Sequence, residues 1–264
     1  MVGQKRQYEA SQVEDSQASK YRCHQILPMV FGLNNSYGKI IHVGLENTAV
    51  GSGDFNPVVR LTNNEFYGLS LPLAAWLQFR EQFDEIDRFF QAYSEEDMLD
   101  QRINISGLTI RFMISYSDRA FELLEEEVST TREPKQKKPR KPSLVFKRVT
   151  FDRLKALAKI VDHRIKYLLK VKDAIEIIVR EVGDYSKDKL VNSENSQYTY
   201  FTAYNVESAM RDFDETLVDK IDKILKDKNI HLTVEDIYII IYEFINLHLY
   251  NLVAYLNTTV YKDP

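Results

Sequence analysis

The residues of this chain best suited to chemistry are cations set in a row. Lys147 and Arg148 are adjacent, and Lys155, Lys159 and Lys166 follow at intervals of four and seven. At 100° per residue those three lysines fall on one side of a helix, away from the Leu154/Leu157/Val161 stripe, so together they can form one basic wall. Cations so spaced neutralise successive phosphates of a polyanion. Just upstream, Lys137-Lys138-Pro139-Arg140-Lys141 has the form of a short nuclear-import signal, and its prolines favour an extended, reachable loop. The same charges would equally suit contact with a phosphate backbone. Catalytic chemistry has no comparable support. The chain has no Gly-rich phosphate loop, HExxH, nucleophile elbow or Cys/His pairing at metal-ligand spacing. No catalytic residue, metal or cofactor is therefore assigned, and the carboxylate runs Glu95-Glu96-Asp97 and Glu125-Glu126-Glu127 read as solvated ends of elements.

The charge distribution sharpens this reading. Residues 1–131 carry 11 Lys and Arg against 19 Asp and Glu, residues 132–172 carry 15 against 3, and residues 173–264 carry 9 against 17. A segment of net charge +12 thus lies between two flanks of −8 each, inside a chain whose net charge is only −4. Such asymmetry attracts polyanions. A single cysteine, Cys23, excludes an internal disulfide framework and fits a reducing compartment. The N-terminus lacks an apolar h-region, and the most apolar stretch, Ile237 to Leu256, carries Glu243, Asn246 and His248, which argues for a buried helix and against a membrane span.

These cations need elements to position them. Residues 1–24 are polar and aperiodic and read as a flexible tail. From 25 to 93 the pattern is of strands over Ile26–Leu33, Lys39–Leu45, Pro57–Thr62 and Glu65–Leu69. One helix follows, carrying Leu73, Trp76, Leu77, Phe83, Ile86 and Phe90, with Ser70 as its candidate N-cap. From 102 to 181 the order restarts. Strands are expected over Ile103–Tyr116 and Arg119–Glu126, meeting at Ser117-Asp118. A basic loop over 132–142, a strand over Leu144–Val149 and a helix from a Thr150 cap to about Glu181 complete the unit. Residues 198–264 hold two further helices, Ala203–Lys226 and Val234–Leu256, the second capped by Thr233 and apolar enough to demand a cover. Homo-oligomerisation through these C-terminal helices is one way to supply it.

Particular residues carry a family resemblance. Tyr67-Gly68-Leu69-Ser70-Leu71, then Trp76, then the run from Phe79 to Asp87 (Phe-Arg-Glu-Gln-Phe-Asp-Glu-Ile-Asp) resemble the strand-to-helix signature of the positive cofactor 4 family of single-stranded-DNA-binding transcriptional coactivators. Tyr37-Gly38-Lys39-Ile40-Ile41 is similar to that family's hairpin. The match covers roughly residues 25–92. It implies an α+β fold of four-stranded antiparallel sheets each followed by a helix, two copies pairing through their helices. Here the second unit would supply the partner copy, giving a pseudo-dimer with a C-terminal helical extension, an arrangement similar to the Whirly proteins and the kinetoplastid guide-RNA-binding proteins. Lys39 carries over as a phosphate contact and Tyr37 as a stacking residue. A basic position of the family falls at about Leu45 here, and the second unit's turn, Ser106-Gly107-Leu108, lacks the lysine, although Arg111 follows closely.

The expected function is therefore that of a non-enzymatic nuclear protein binding single-stranded DNA or RNA, in transcription, replication or genome packaging. Tyr37, Lys39, Arg111, Lys147, Arg148, Lys155, Lys159 and Lys166 are its candidate nucleic-acid residues, and Lys137, Lys138, Arg140 and Lys141 its candidate import signal. The alternative is a structural or adaptor protein, viral in origin or not, that kept the fold and lost the nucleic-acid face. Phe112, Tyr116 and Phe146 are aromatics whose sides in the sheet the alternation does not settle.

Overall fold

The computed structural model describes residues 25–36, 38–47, 54–63, 68–93, 101–125, 142–191, 213 and 215–245. Its elements are β1 (Ile26–Gly32), β2 (Ile40–Asn47), β3 (Phe55–Thr62), β4 (Gly68–Pro72), α1 (Leu73–Glu81), α2 (Phe83–Gln91), β5 (Arg102–Ile105), β6 (Leu108–Ser115), β7 (Asp118–Glu125), β8 (Ser143–Lys147), α3 (Arg148–Val191) and α4 (Glu215–Asp227), and residues 234–245 are also helical. The fold is α+β. Two antiparallel four-stranded sheets have the orders β1-β2-β3-β4 and β5-β6-β7-β8, and in each the last strand runs directly into a helix. Among the described residues no helix is long and apolar enough to cross a membrane.

Strand alternation decides which side chains are available. In the second sheet Ile110, Phe112, Phe121, Leu123, Leu144 and Phe146 share one face and are buried, pairing as Ile110↔Leu123↔Leu144 and Phe112↔Phe121↔Phe146. Arg111, Glu122, Val145 and Lys147 therefore lie on the opposite face. In the first sheet Val59, Leu61, Leu69 and Leu71 face the core across the β3–β4 pairing. Gly68 sits opposite Thr62, and a Cβ there would come within 2.6 Å of the Thr62 methyl and 2.7 Å of the Leu61 carbonyl oxygen. The glycine of the resemblance motif is thus demanded by close approach of the neighbouring strand.

The described residues form two compact units, one drawn from 29–43 and 58–163, the other from 25–28, 44–57 and 164–245. The first is built on aromatic rings. Phe79 and Phe83 meet edge-on at 5.3 Å, Phe83 meets Phe151 at 5.3 Å, Phe89 meets Phe112 at 4.5 Å, and Phe121 stacks on Phe146 at 5.0 Å. Trp76 is fully buried among them, 6.3 Å from Phe79 and 6.5 Å from Phe83. Burying each such ring contributes about 1.5–3 kcal/mol, so this cluster dominates the stability of the unit. Helices α1 and α2 consequently pack on the second sheet, where Arg119 donates to the Phe89 carbonyl at 2.5 Å and Gln78 accepts from the Ser106 N–H at 2.9 Å.

The second unit is aliphatic. Ile165, Leu168, Ile175 and Ile178 of α3, Leu217, Ile221 and Leu225 of α4, and Ile237, Ile240 and Ile241 are all buried. Thr233 and Asp236 form a reciprocal cap, each accepting the other's backbone N–H at 3.1 Å, which starts the helix where the sequence placed it. Leu27 has a left-handed φ of 53°, and its backbone is held from both sides: Glu243 accepts its N–H at 2.9 Å, and Arg164 donates to its carbonyl at 2.6 Å.

Several boundaries differ from the sequence reading. The expected first helix is two, broken at Gln82, whose φ of −85° and ψ of −3° leave the helical ladder before α2 restarts at Phe83. Ser70 is no cap but a strand residue paired with Arg60, and Pro72 occupies the cap position. The single strand expected over Ile103–Tyr116 turns at Ser106-Gly107, with Gly107 at φ 79°, to give β5 and β6. Val149 belongs to α3, which starts three residues early, buries Thr150 inside its first turn and continues through Gly183 to Val191.

Candidate nucleic-acid interface

Basic groups gather at one end of the first unit, where three chain segments meet. The β1–β2 connection is closed by the Leu33 N–H donating to the Lys39 carbonyl at 2.7 Å, and by Asn34 Oδ1 accepting the Lys39 N–H at 3.2 Å. Arg153, on the first turns of α3, reaches Asn35 of that connection at 3.3 Å. Lys39 is half-buried, and its ammonium is held below the ordinary lysine range, first by desolvation and then by the positive charge of Lys147. The two lysines that the sequence placed in separate modules therefore share one electrostatic neighbourhood.

Lys147 ends β8 on the outer face of the second sheet. Its ammonium lies 2.7 Å from Asp118 Oδ2 and 5.7 Å from the centre of the Tyr116 ring. Arg148 opens α3, packs its guanidinium over Phe90 at 5.6 Å, and pairs with Asp152 at 2.9 Å and Asp87 at 3.3 Å. Lys155 also pairs with Asp87. The first turn of α3 contains no acidic residue, so the positive end of the helix dipole adds to these cations. Lys147, Arg148 and Lys155 thus pair with three aspartates, Asp87, Asp118 and Asp152, while Arg153 contacts Asn35 and Lys39 feels the charge of Lys147. The arrangement retains a positive excess suited to an anionic ligand.

The remaining sequence candidates lie elsewhere. Arg111 faces outward on β6 but is engaged by its cross-strand partner Glu122, which neutralises it. Lys159 and Lys166 are exposed on α3 with no ion pair among the described residues. Tyr37 and the run Lys137, Lys138, Arg140 and Lys141 lie outside the described residues. Phe112 and Phe146 are core, as their fully buried rings show. Tyr116 is not: it sits in the β6–β7 turn with 93% of its surface exposed.

Sequence reasoning missed Arg153 and the three aspartates as members of this site. Asp87 and Asp118 are 68 and 29 residues away from their partners Lys155 and Lys147 along the chain, a separation that no local pattern records. No protein-family model and no curated protein sequence matches the chain.

Proposed function

We propose that this chain is a non-enzymatic, single-stranded nucleic-acid-binding protein that acts in the nucleus, in transcription, replication or genome packaging. One observation carries the proposal: cations from the β1–β2 connection, from the end of β8 and from the start of α3 meet at one end of the first unit, beside an exposed tyrosine. Cations that track phosphates next to an aromatic face are the two components of single-strand binding. The resemblance of the segment 67–87 to the positive cofactor 4 family supports the same reading, as does the order of four strands and a helix occurring twice. Lys39, Lys147 and Arg148 are then phosphate contacts, with Lys155, Lys159 and Lys166 continuing the basic wall along α3.

The test is binding of labelled single-stranded and duplex DNA by the full chain across a salt series. Single strands bind better, and log K falls linearly with log salt at about 0.7 per phosphate contact. Lys147→Ala with Arg148→Ala lowers both the affinity and the slope. An unchanged slope in the double variant, or no binding by the wild type at low salt, overturns the proposal. Nuclear entry is tested separately by replacing Lys137, Lys138, Arg140 and Lys141 with alanine in a fusion too large for passive diffusion. A nuclear signal that stays unchanged removes the run from that role.

A second reading has its own observation. Asp118, Asp87 and Glu122 already occupy Lys147, Lys155 and Arg111, as they would in an adaptor whose nucleic-acid face has been lost. Val234, Tyr238 and Ile239 are exposed on the helical stretch 234–245, and self-association through them belongs to either reading. Sedimentation over a concentration series decides that point.

A further inference from the structure

The β6–β7 hairpin closes through Tyr116 and Ser117, with φ of 52° and 63°. Two consecutive left-handed residues are the hallmark of the tight hairpin turn usually met by Asn-Gly or Asp-Gly. A tyrosine in that conformation is sterically strained, because its Cβ crowds the following carbonyl oxygen. Its ring, 93% exposed, recovers nothing from burial. Neither backbone preference nor packing accounts for a tyrosine here. What the ring does possess is a fixed setting. Lys147 stands 5.7 Å from its centre, and Lys147 is itself tethered at 2.7 Å by Asp118, the residue that starts β7 immediately after the turn.

We propose that Tyr116 is the base-stacking residue of the single-strand site: an unpaired base lies on the open face of its ring, and the phosphates beside that base contact Lys147 and Lys39. The inference rests on the single-strand reading above and adds to it the group that makes the site selective for single strands. Phosphates are common to single strands and duplexes, whereas a π-face is offered to a side chain only by a base freed from its stack. A tyrosine at a hairpin tip can reach such a base, because its ring projects beyond the sheet. Lys147 then serves twice, as a phosphate contact and as the cation that fixes the ring beside it.

The experiment compares a dodecamer of deoxyadenosine with a dodecamer of abasic sites carrying the same phosphates, using full-length protein and a salt series. The wild type binds the base-bearing strand about 5- to 150-fold more tightly, the range set by one stacked base. Tyr116→Ala removes most of that preference and leaves the salt slope unchanged, while Tyr116→Phe and Tyr116→Trp preserve it. Far-ultraviolet circular dichroism checks that the hairpin remains formed. If Tyr116→Ala binds the adenosine strand as tightly as the wild type, or changes the salt slope as Lys147→Ala does, the stacking role is overturned while the phosphate site stands. A wild type that binds neither strand overturns both.

Discussion

The Trp76 indole N–H donates to Asp162 Oδ1 at 2.9 Å, and Arg80 pairs with the other oxygen of the same carboxylate. The contact joins α1 to α3 across 86 residues of chain, and it satisfies the one polar atom of a side chain that is otherwise enclosed by phenylalanines. Trp76→Ala removes the largest ring of the core and is expected to cost about 3–5 kcal/mol in urea unfolding. Asp162→Ala strands a buried donor and costs about 1–3 kcal/mol, whereas Asp162→Asn keeps an acceptor and costs less. Because Trp76 is the only tryptophan, its fluorescence reports the transitions of the wild type and the Asp162 variants, and far-ultraviolet circular dichroism follows that of Trp76→Ala.

Gly68 offers a second test of packing. Its would-be Cβ meets a backbone carbonyl oxygen at 2.7 Å, and that atom cannot rotate away as a side chain could. Gly68→Ala is expected to destabilise by about 1–3 kcal/mol, despite the better intrinsic strand preference of alanine. Thr62→Ala, in the same background, recovers part of the loss by removing the methyl at 2.6 Å. Chemical denaturation of the single and double variants measures that coupling.

His42 makes the stability depend on pH. Burial, and then the nearby charge of Arg60, push its imidazole below the ordinary histidine range, and its Nε2 lies 3.3 Å from the Thr62 hydroxyl. The unfolded chain therefore binds a proton more readily than the folded one. Stability is unaffected by this group above about pH 6.5 and falls as the pH drops from there towards the lowered folded value. His42→Gln should flatten that part of the profile. Denaturation midpoints at pH 7.5 and pH 5.5 are the measurement, and an unchanged difference between them removes His42 as its source.

How much of this was legible depends on how local each cause is. The short apolar run at 144–149 and the apolar stripe of α3 placed Lys147 and the three lysines on their elements, because such local patterns are written in neighbouring residues. Thr233 formed the expected cap for the same reason, and the structure adds Asp236 as its reciprocal partner. The break at Gln82 was not legible, since Arg80-Glu81-Gln82 contains no helix breaker. The extension of α3 through Gly183 likewise reflects tertiary burial, which overrides the weak local cost of glycine. Tyr116 was hidden because its turn uses residues that turn chemistry disfavours. Asp87 and Asp118, two of the three aspartates that temper the basic site, come from remote segments, so the net charge of +12 overstated the cations left free.

Asp118 is exposed and holds Lys147 at 2.7 Å, the position that a phosphate oxygen would take if Lys147 is the phosphate contact proposed above. An exposed pair of this kind contributes little to stability, so Asp118→Asn should change the unfolding free energy by no more than about 1 kcal/mol. Its effect on binding is of a different order. A phosphate arriving at Lys147 must displace the carboxylate in the wild type and meets only a neutral amide in the variant, so single-strand affinity rises. The gain is largest at low salt, where screening is weakest. Lys147→Ala in the Asp118→Asn background cancels the gain, because the released cation is then gone. Titrations of the wild type, both single variants and the double variant complete the cycle. If Asp118→Asn binds no more tightly than the wild type at low salt, Lys147 is not a phosphate contact and the pair is only a structural clasp.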